Sequence, residues 1–272
     1  MGRPRALDLI NTNITDTKNA DDRKFVGAIG RAFDVLRAFK PGQGPLGNTE
    51  LSVATGLPKA TVSRLTHTLT RLGYLNYLSD HGVYEPSPSI LALGYCVLSN
   101  MRVRQLARDH MQQLADYGKT MCALASRDRL SMIYVSMCNG GGFRTLHMDV
   151  GSRADIATSA IGRAFLSGIS EREREYFFGH FHRIYGSDWP ALQKNIQRSI
   201  REVEERGFCM VDGEWQRDVR AVAAPLVSPD GQTVMSMNCA GPTFHLTTEI
   251  LENDLGPRLA HLCRGLAPML GG

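Results

Sequence analysis

The 272-residue chain contains no CxxC pair; its six cysteines (Cys96, Cys122, Cys138, Cys209, Cys239 and Cys263) are scattered. Scatter of this kind argues against a zinc knuckle, which needs two thiolates a few residues apart. In a chain this long it reads as reduced, mostly buried thiols, not as a disulfide framework. No apolar run approaches the roughly 18 residues that suggest a membrane span. The opening "MGRPRALDLINTNITDTKNADDRK" lacks the apolar stretch of a secretory signal. The expectation is a cytoplasmic protein with no membrane partner. Enzyme signatures are missing as well: there is no GxSxG, no recognisable cysteine-nucleophile setting and no GxGxxG after a strand. "NGGGF" (Asn139 to Phe143) sits between strand-like runs, where a hairpin turn accounts for it. Asp149 with Asp155, and Glu204 with Glu205, are carboxylate pairs without a flanking motif and read as solvated. His180 and His182 in "HFH" make at most half a metal site and read as surface histidines. No catalysis, cofactor or metal is expected.

What is present begins with charge. The net charge is +4 and the pI about 8.8, which permits nucleic-acid binding without requiring it. Between residues 24 and 80 lie seven bases (Lys24, Arg31, Arg37, Lys40, Lys59, Arg64, Arg71) against three acids (Asp34, Glu50, Asp80), so this segment carries the whole excess. Residues 1–23 are polar and aperiodic and read as a mobile arm, with "GRPR" the kind of basic tip that can reach a minor groove.

The next segment is rich in helix punctuation. Ile29, Phe33, Leu36 and Phe39 follow helical spacing, and "KPGQGPLGN" breaks that helix. Asn48 or Thr49 can cap a second helix that stops at Gly56. Pro58 fits the first turn of a third, which places Val62, Leu65, Leu69 and Leu72 on one stripe and ends at Gly73. "YLNYLSDHGVYEP" then gives two β-prone runs around a turn. Three helices and a hairpin over residues 24–86 make a winged helix-turn-helix. The third helix leaves Lys59, Thr61, Ser63, Arg64 and His67 off its apolar stripe. Such a face is either ordinary solvated surface or a set of donors for base edges and phosphates. The local positive charge and the hairpin favour double-stranded operator DNA. One module makes few contacts, so specificity calls for two half-sites and a homo-oligomer, a dimer or a dimer of dimers.

Residues 87–101 read as a linker helix whose Ile90, Leu91, Leu93 and Val97 are too apolar to stand alone. In the remaining 102–272, Arg102 to Tyr117 suggest a helix with Leu106, His110, Leu114 and Tyr117 on one face. "MCALAS", "LSMIYVSM", "FRTLHMDVG", "GFCMV", "AVAAPLVS" and "TVMSMNCAG" are strand-like. "TSAIGRAFLSG", Glu171 to Phe181, Ala191 to Arg206 and Thr248 to Leu270 are helical. Consecutive hairpins with helices on one face describe an α+β sensory domain.

"LSVATGLPKATVSRLTHTLTRLGYL" closely resembles the DNA-binding segment of IclR-type (isocitrate lyase regulator) bacterial transcription regulators. The matching residues are Gly56-Leu57-Pro58-Lys59, Thr61-Val62, Arg64-Leu65, Thr68-Leu69 and Gly73-Tyr74. "AIGRAFLSG" and "GFCMVDGEWQRDVRAVAAPLVSPDGQTVMSMNCAGP" resemble two further family segments in the right order. The resemblance implies a two-domain α+β chain: an N-terminal winged helix-turn-helix, a linker helix and a GAF-like C-terminal α/β effector-binding domain with an antiparallel sheet. It also implies a small organic acid as effector. The residues have their own reason to suit one. A helix starting near Thr158-Ser159-Ala160 offers amide N–H groups to a carboxylate, and Ala160 and Gly162, flanking Ile161, are small enough for close approach. Asp212 could accept from a ligand hydroxyl or hold the pocket closed, and Met148, Met237 and Cys239 could be either apolar walls or plain core. The chain departs from the family pattern at Arg163 (usually Lys), Asp218 (Gly), Ala221 (often Cys) and Asn238-Cys239-Ala240, the last two where the resemblance places the effector pocket, and its wing carries only His81. The competing reading is a small-molecule sensor or adaptor whose winged helix makes protein contacts.

Overall fold

The computed structural model describes residues 24–141 and 148–270. The arm expected over 1–23, the end of "NGGGF" and most of the strand expected at "FRTLHMDVG" lie outside these residues. The chain divides at Asn100/Met101 into two compact units.

The first unit runs α1 (Gly27–Arg37), β1 (Leu46–Gly47), α2 (Asn48–Thr55), α3 (Lys59–Arg71), β2 (Leu75–Leu78), β3 (Val83–Pro86) and α4 (Ser89–Asn100). Val35, Leu51, Val62, Leu69, Leu75 and Tyr84 form its core. The strands pair antiparallel in the order β1-β3-β2, with Tyr77 opposite Tyr84 and their rings 4.9 Å apart. This is the expected winged helix-turn-helix, with four differences of detail. β1 is only two residues long, too short to show a period, and it hides inside the stretch read as a break. Asn48 does not cap α2 but is its first residue, and its Oδ1 accepts from Thr66 Oγ1 (3.3 Å), tying α2 to α3. Thr66, not Leu72, completes the buried stripe of α3; Leu72 falls past the last turn and is 64% exposed. On α1, Val35 turns inward while Ile29 and Phe33 remain exposed. No residue of α4 is buried, and Leu91 (74% exposed) and Tyr95 (70%) project from it.

The second unit starts with α5 (Arg102–Gly118) and contains β4 (Met121–Asp128), β5 (Ser131–Asn139), β6 (Arg153–Asp155), β7 (Cys209–Asp212), β8 (Val219–Val227) and β9 (Val234–Pro242). They form one antiparallel sheet in the order β6-β5-β4-β9-β8-β7. The remaining helices are α6 (Ala160–Gly168), α7 (Glu171–Tyr185), α8 (Trp189–Arg206) and α9 (Gly256–Leu266). α7 opens on a capping box in which Ser170 and Glu173 satisfy each other's backbone N–H groups. The third strand of the sheet's first half lies at Arg153–Asp155, after a turn at Asp149–Ser152, and not at the described end of "FRTLHMDVG".

Helices cover both faces of this sheet, not one. Ser236 Oγ donates to Ile161 O on α6 (2.7 Å), whereas Cys263 of α9 reaches Ala224 O from the other side (3.9 Å) and Cys138 faces Arg108 O of α5 (3.6 Å). Two-sided cover is why β4 and β9 are buried almost continuously instead of at alternate residues. α5 turns Val103, Ala107, Met111, Leu114 and Ala115 inward, so the face expected from Leu106, His110 and Tyr117 is the outer one. The closing segment is not one regular helix: a turn at Thr248–Ile250 and a π-helical stretch at Leu251–Leu255 precede α9.

Candidate functional site

Two sites can be built from these elements, one in each unit. In the first, the joint between α2 and α3 is held by local hydrogen bonds. Gly56 takes the left-handed conformation (φ 71°) that ends α2, Ser52 Oγ donates to Leu57 O (2.6 Å), and the Leu57 N–H donates to Thr55 Oγ1 (3.3 Å). Pro58 sits one residue before α3 rather than inside its first turn, and its carbonyl accepts from Thr61 and Val62. Lys59, Ser63, Arg64 and His67 are exposed and Thr61 is half-buried. α3 carries no acid, and neither Lys59 nor Arg64 meets a carboxylate among the described residues. The donors therefore stand together on an exposed face whose positive charge is not locally neutralised. At the wing tip Ser79 Oγ donates to Asp80, which places an acid beside His81.

The second site surrounds the start of α6. Ser159 caps the helix: its Oγ accepts from Gly162 N (3.2 Å) and donates to Asp155 O. The Ala160 and Ile161 N–H groups have no acceptor among the described residues. They are the orphan donors of a helix start, placed where an anion is favoured. Asp155 is buried and not solvated as the sequence suggests. Burial raises the pKa of its carboxyl, while hydrogen bonds from Tyr185 (2.6 Å) and Thr158 (2.9 Å from N–H) pull the other way.

A cleft of about 340 Å³, including its open mouth, lies against this helix start. Of the residues expected there, Ser159, Ala160, Ile161 and Ala221 line it. Gly162 does not: a Cβ at this position would lie 2.3 Å from Ile156 Cα, so its smallness serves packing under the helix, not ligand approach. Gly162→Ala is expected to cost about 1–3 kcal/mol through overpacking. Gly179→Ala, on the exposed face of α7 with no atom within 4 Å of the new Cβ, should instead gain about 1 kcal/mol. Thermal melts of the two variants check this contrast; equal melting temperatures would contradict it. Asp212 points away and pairs with Arg220 (2.6 Å), and Met148 is half-buried outside the cleft. Met237 and Cys239 are on the opposite face of the sheet. Cys239 pairs in register with Cys122, and Cys263 lies beside it. The hydrogen bond to Cys239 and complete burial hold the Cys122 thiol well above its usual range, as expected of an inert core cysteine.

Tyr134 and Trp215, for which the sequence gives no signal, complete the lining, together with Asn238 and Ala240 of the stretch that departs from the family pattern. Ala221 is the register partner of Ala240, which shares a face with Asn238 two residues earlier. Strict alternation along β9 would have found Asn238 had the inward face been known. Burial raises the pKa of the Tyr134 phenol, and the adjacent Asn238 amide opposes that shift. Beside the cleft, the fully buried Arg163 donates from both terminal nitrogens to Glu214 (3.0 and 2.5 Å) and from Nε to Ala157 O (2.9 Å). Among the described residues no group of three or more His, Cys, Asp or Glu side chains could hold a metal, and no helix is long and apolar enough to cross a membrane.

Comparison with known proteins gives these two sites a family setting. Residues 28–79 match the IclR helix-turn-helix domain, and residues 95–264 match the bacterial transcriptional regulator IclR C-terminal domain. The HTH-type transcriptional regulator TsaQ1/TsaQ2 of Comamonas testosteroni is 29% identical over 243 residues, 89% of this chain and 87% of its own length. An IclR family transcriptional regulator from Brucella abortus, solved by crystallography, is 43% identical with a TM-score of 0.84, covering 96% of this chain and 98% of its own. An IclR homolog from Microbacterium hydrocarbonoxydans, crystallised with 4-hydroxybenzoate, shares the fold at 16% identity and a TM-score of 0.68, covering 88% and 97% of the two chains. Two domain matches in order, with close likeness over nearly the full length, establish that this chain belongs to the IclR family of transcriptional regulators, with a DNA-binding helix-turn-helix and a C-terminal effector domain.

Proposed function

We propose that the protein is a ligand-responsive regulator that reads operator DNA with α3 and binds a small organic acid in the cleft at the start of α6, controlling a catabolic operon. The observation that carries the DNA reading is the exposed, acid-free face bearing Lys59, Ser63, Arg64 and His67. The acid reading rests on the Ala160 and Ile161 amides opening beside an apolar cleft. The relative crystallised with 4-hydroxybenzoate supports an aromatic acid as one candidate class. A homo-oligomer is part of the proposal. Phe25, Val26, Ile29 and Phe33 near α1, and Leu91, Leu93, Tyr95 and Val97 on α4, form exposed apolar stripes that a second copy would cover. Two copies also supply the two half-sites that specificity needs. An acid acts on such a pair only if it binds one arrangement of the reading helices better than another.

The test is retardation of DNA from upstream of the gene, over a salt series, with and without a panel of aliphatic and aromatic acids. Expected are binding that weakens linearly in log–log salt and a shift in affinity with at least one acid. Binding without sequence preference or salt dependence would favour the adaptor reading, in which the winged helix contacts protein.

A further inference from the structure

Asn238 lies on β9 in the floor of the cleft, and its Oδ1 is buried with no hydrogen-bond partner. The residue is 4% exposed. Its strand neighbours cannot satisfy it. The register partners on either side are Ala123 of β4 and Ala223 of β8, which carry no polar side-chain atom. Along β9 on the same face, Ala240 is equally mute, and the Ser236 hydroxyl is committed to Ile161 O. Ser159, across the cleft, gives its proton to Asp155 O. The amide also lies against Tyr134, whose phenol burial pushes up and contact with Asn238 draws back. Oδ1 is thus a buried acceptor without a partner in the lining of the cleft, and the Ser236 and Ser159 hydroxyls are committed elsewhere. An unsatisfied buried acceptor is costly, so the site is poised for a donor that arrives with the ligand.

We infer that Asn238 makes this cleft selective for acids that also carry a hydroxyl, the carboxylate seated on the Ala160 and Ile161 amides and the hydroxyl donating to Asn238 Oδ1. This rests on the reading of the cleft as the acid site. The walls supplied by Tyr134, Trp215, Val211 and Val219 are aromatic and apolar, which favours hydroxylated aromatic acids over short aliphatic ones. A site built to accept from a hydroxyl discriminates strongly against the analogue that lacks it, because the acceptor then stays buried and unpaired.

Calorimetric titration of the full chain with matched acids tests the inference. The probes are benzoate, 3-hydroxybenzoate, 4-hydroxybenzoate and 4-methoxybenzoate, with propionate and lactate as an aliphatic pair. The expected result is a hydroxybenzoate bound at least roughly tenfold more tightly than benzoate, with 4-methoxybenzoate, which has the oxygen but no proton, resembling benzoate. In Asn238→Leu the ratio of hydroxybenzoate to benzoate affinity should fall to near unity whatever the variant's absolute affinity, and DNA retardation without acid reports that the variant is folded. The ligand comparison on the unaltered protein stands even where the variant does not fold. Equal binding within every pair, or a preference that survives in a folded Asn238→Leu, overturns the inference and leaves the acid site intact. Failure of every probe to bind overturns the acid-site reading and the inference with it.

Discussion

Arg64→Ala is expected to remove specific operator binding while leaving the protein folded. Arg64 is exposed one turn into α3, on the side away from Val62, Thr66 and Leu69, which are buried. Its side chain makes no carboxylate contact among the described residues, so truncation removes no structural partner. A guanidinium at this position can bond a guanine edge bidentately, worth about 1–3 kcal/mol of discrimination. In a dimer on two half-sites the losses add to about 2–6 kcal/mol, a weakening of at least roughly 30-fold. Lys59→Ala provides the contrast. A point charge on phosphate should weaken all sequences alike and flatten the salt dependence. The measurement is retardation of operator and scrambled DNA at matched salt. Were Arg64→Ala to retain wild-type preference for operator, the assignment of α3 as the reading helix would be wrong.

The largest effect on stability is expected at Glu214. Arg163 is 0% exposed, and its charge is neutralised chiefly through the paired hydrogen bonds to Glu214, whose carboxylate also accepts from Asn195 Nδ2 (3.0 Å). Glu214→Ala strands a guanidinium in the interior of the second unit, at a cost of about 3–5 kcal/mol. The effector domain should melt roughly 6–20 °C lower. Glu214→Gln keeps an acceptor and should fall between the two. Dependence on pH separates this pair from general packing loss. Burial pushes the Glu214 carboxyl up, but the hydrogen bond and charge of Arg163, with Asn195 and Arg198, outweigh it and leave the pKa lowered from its usual 4.5. A carboxylate depressed in the fold contributes stability that is fully present above that usual value and is lost as pH falls through the folded one. The gap between wild type and Glu214→Ala should therefore narrow below about pH 4.5. Asp155 runs oppositely, since burial raises its carboxyl and acid relieves it, but both proteins share that residue. A gap that stayed constant from neutral to strongly acid pH would show that the ion pair is not the cause.

Legibility differed between the two units for reasons that can be traced to residues. In the first, the determinants are local. Gly56 and Gly73 end helices within the segments they punctuate (φ 71° and 79°), and the stripe of Val62 and Leu69 recurs at helical spacing. Errors there were confined to details that depend on neighbours: Thr66 is core because Asn48 and the Ser63 carbonyl satisfy its hydroxyl, and Leu72 is surface because α3 has already ended. In the second unit the strands were found at nearly their right places, since β4, β5, β8 and β9 are long apolar runs separated by turns such as "PDG". Their faces were not found. A strand buried on both sides shows no alternation, so nothing local says whether Asn238 or Cys239 looks toward α6.

The sequence by itself thus determined the order of elements, the helix-turn-helix with the exposed bases of α3, and the helix start at Ser159, because caps, turns and helical periods act over a few residues. Only tertiary structure decided which side of β9 floors the cleft, that Gly162 is needed by Ile156 rather than by a ligand, and that Arg163 and Glu214, 51 residues apart, form one buried unit. Those outcomes follow from strand register and from close packing between distant segments, and both are set by how the whole domain buries its apolar surface at once.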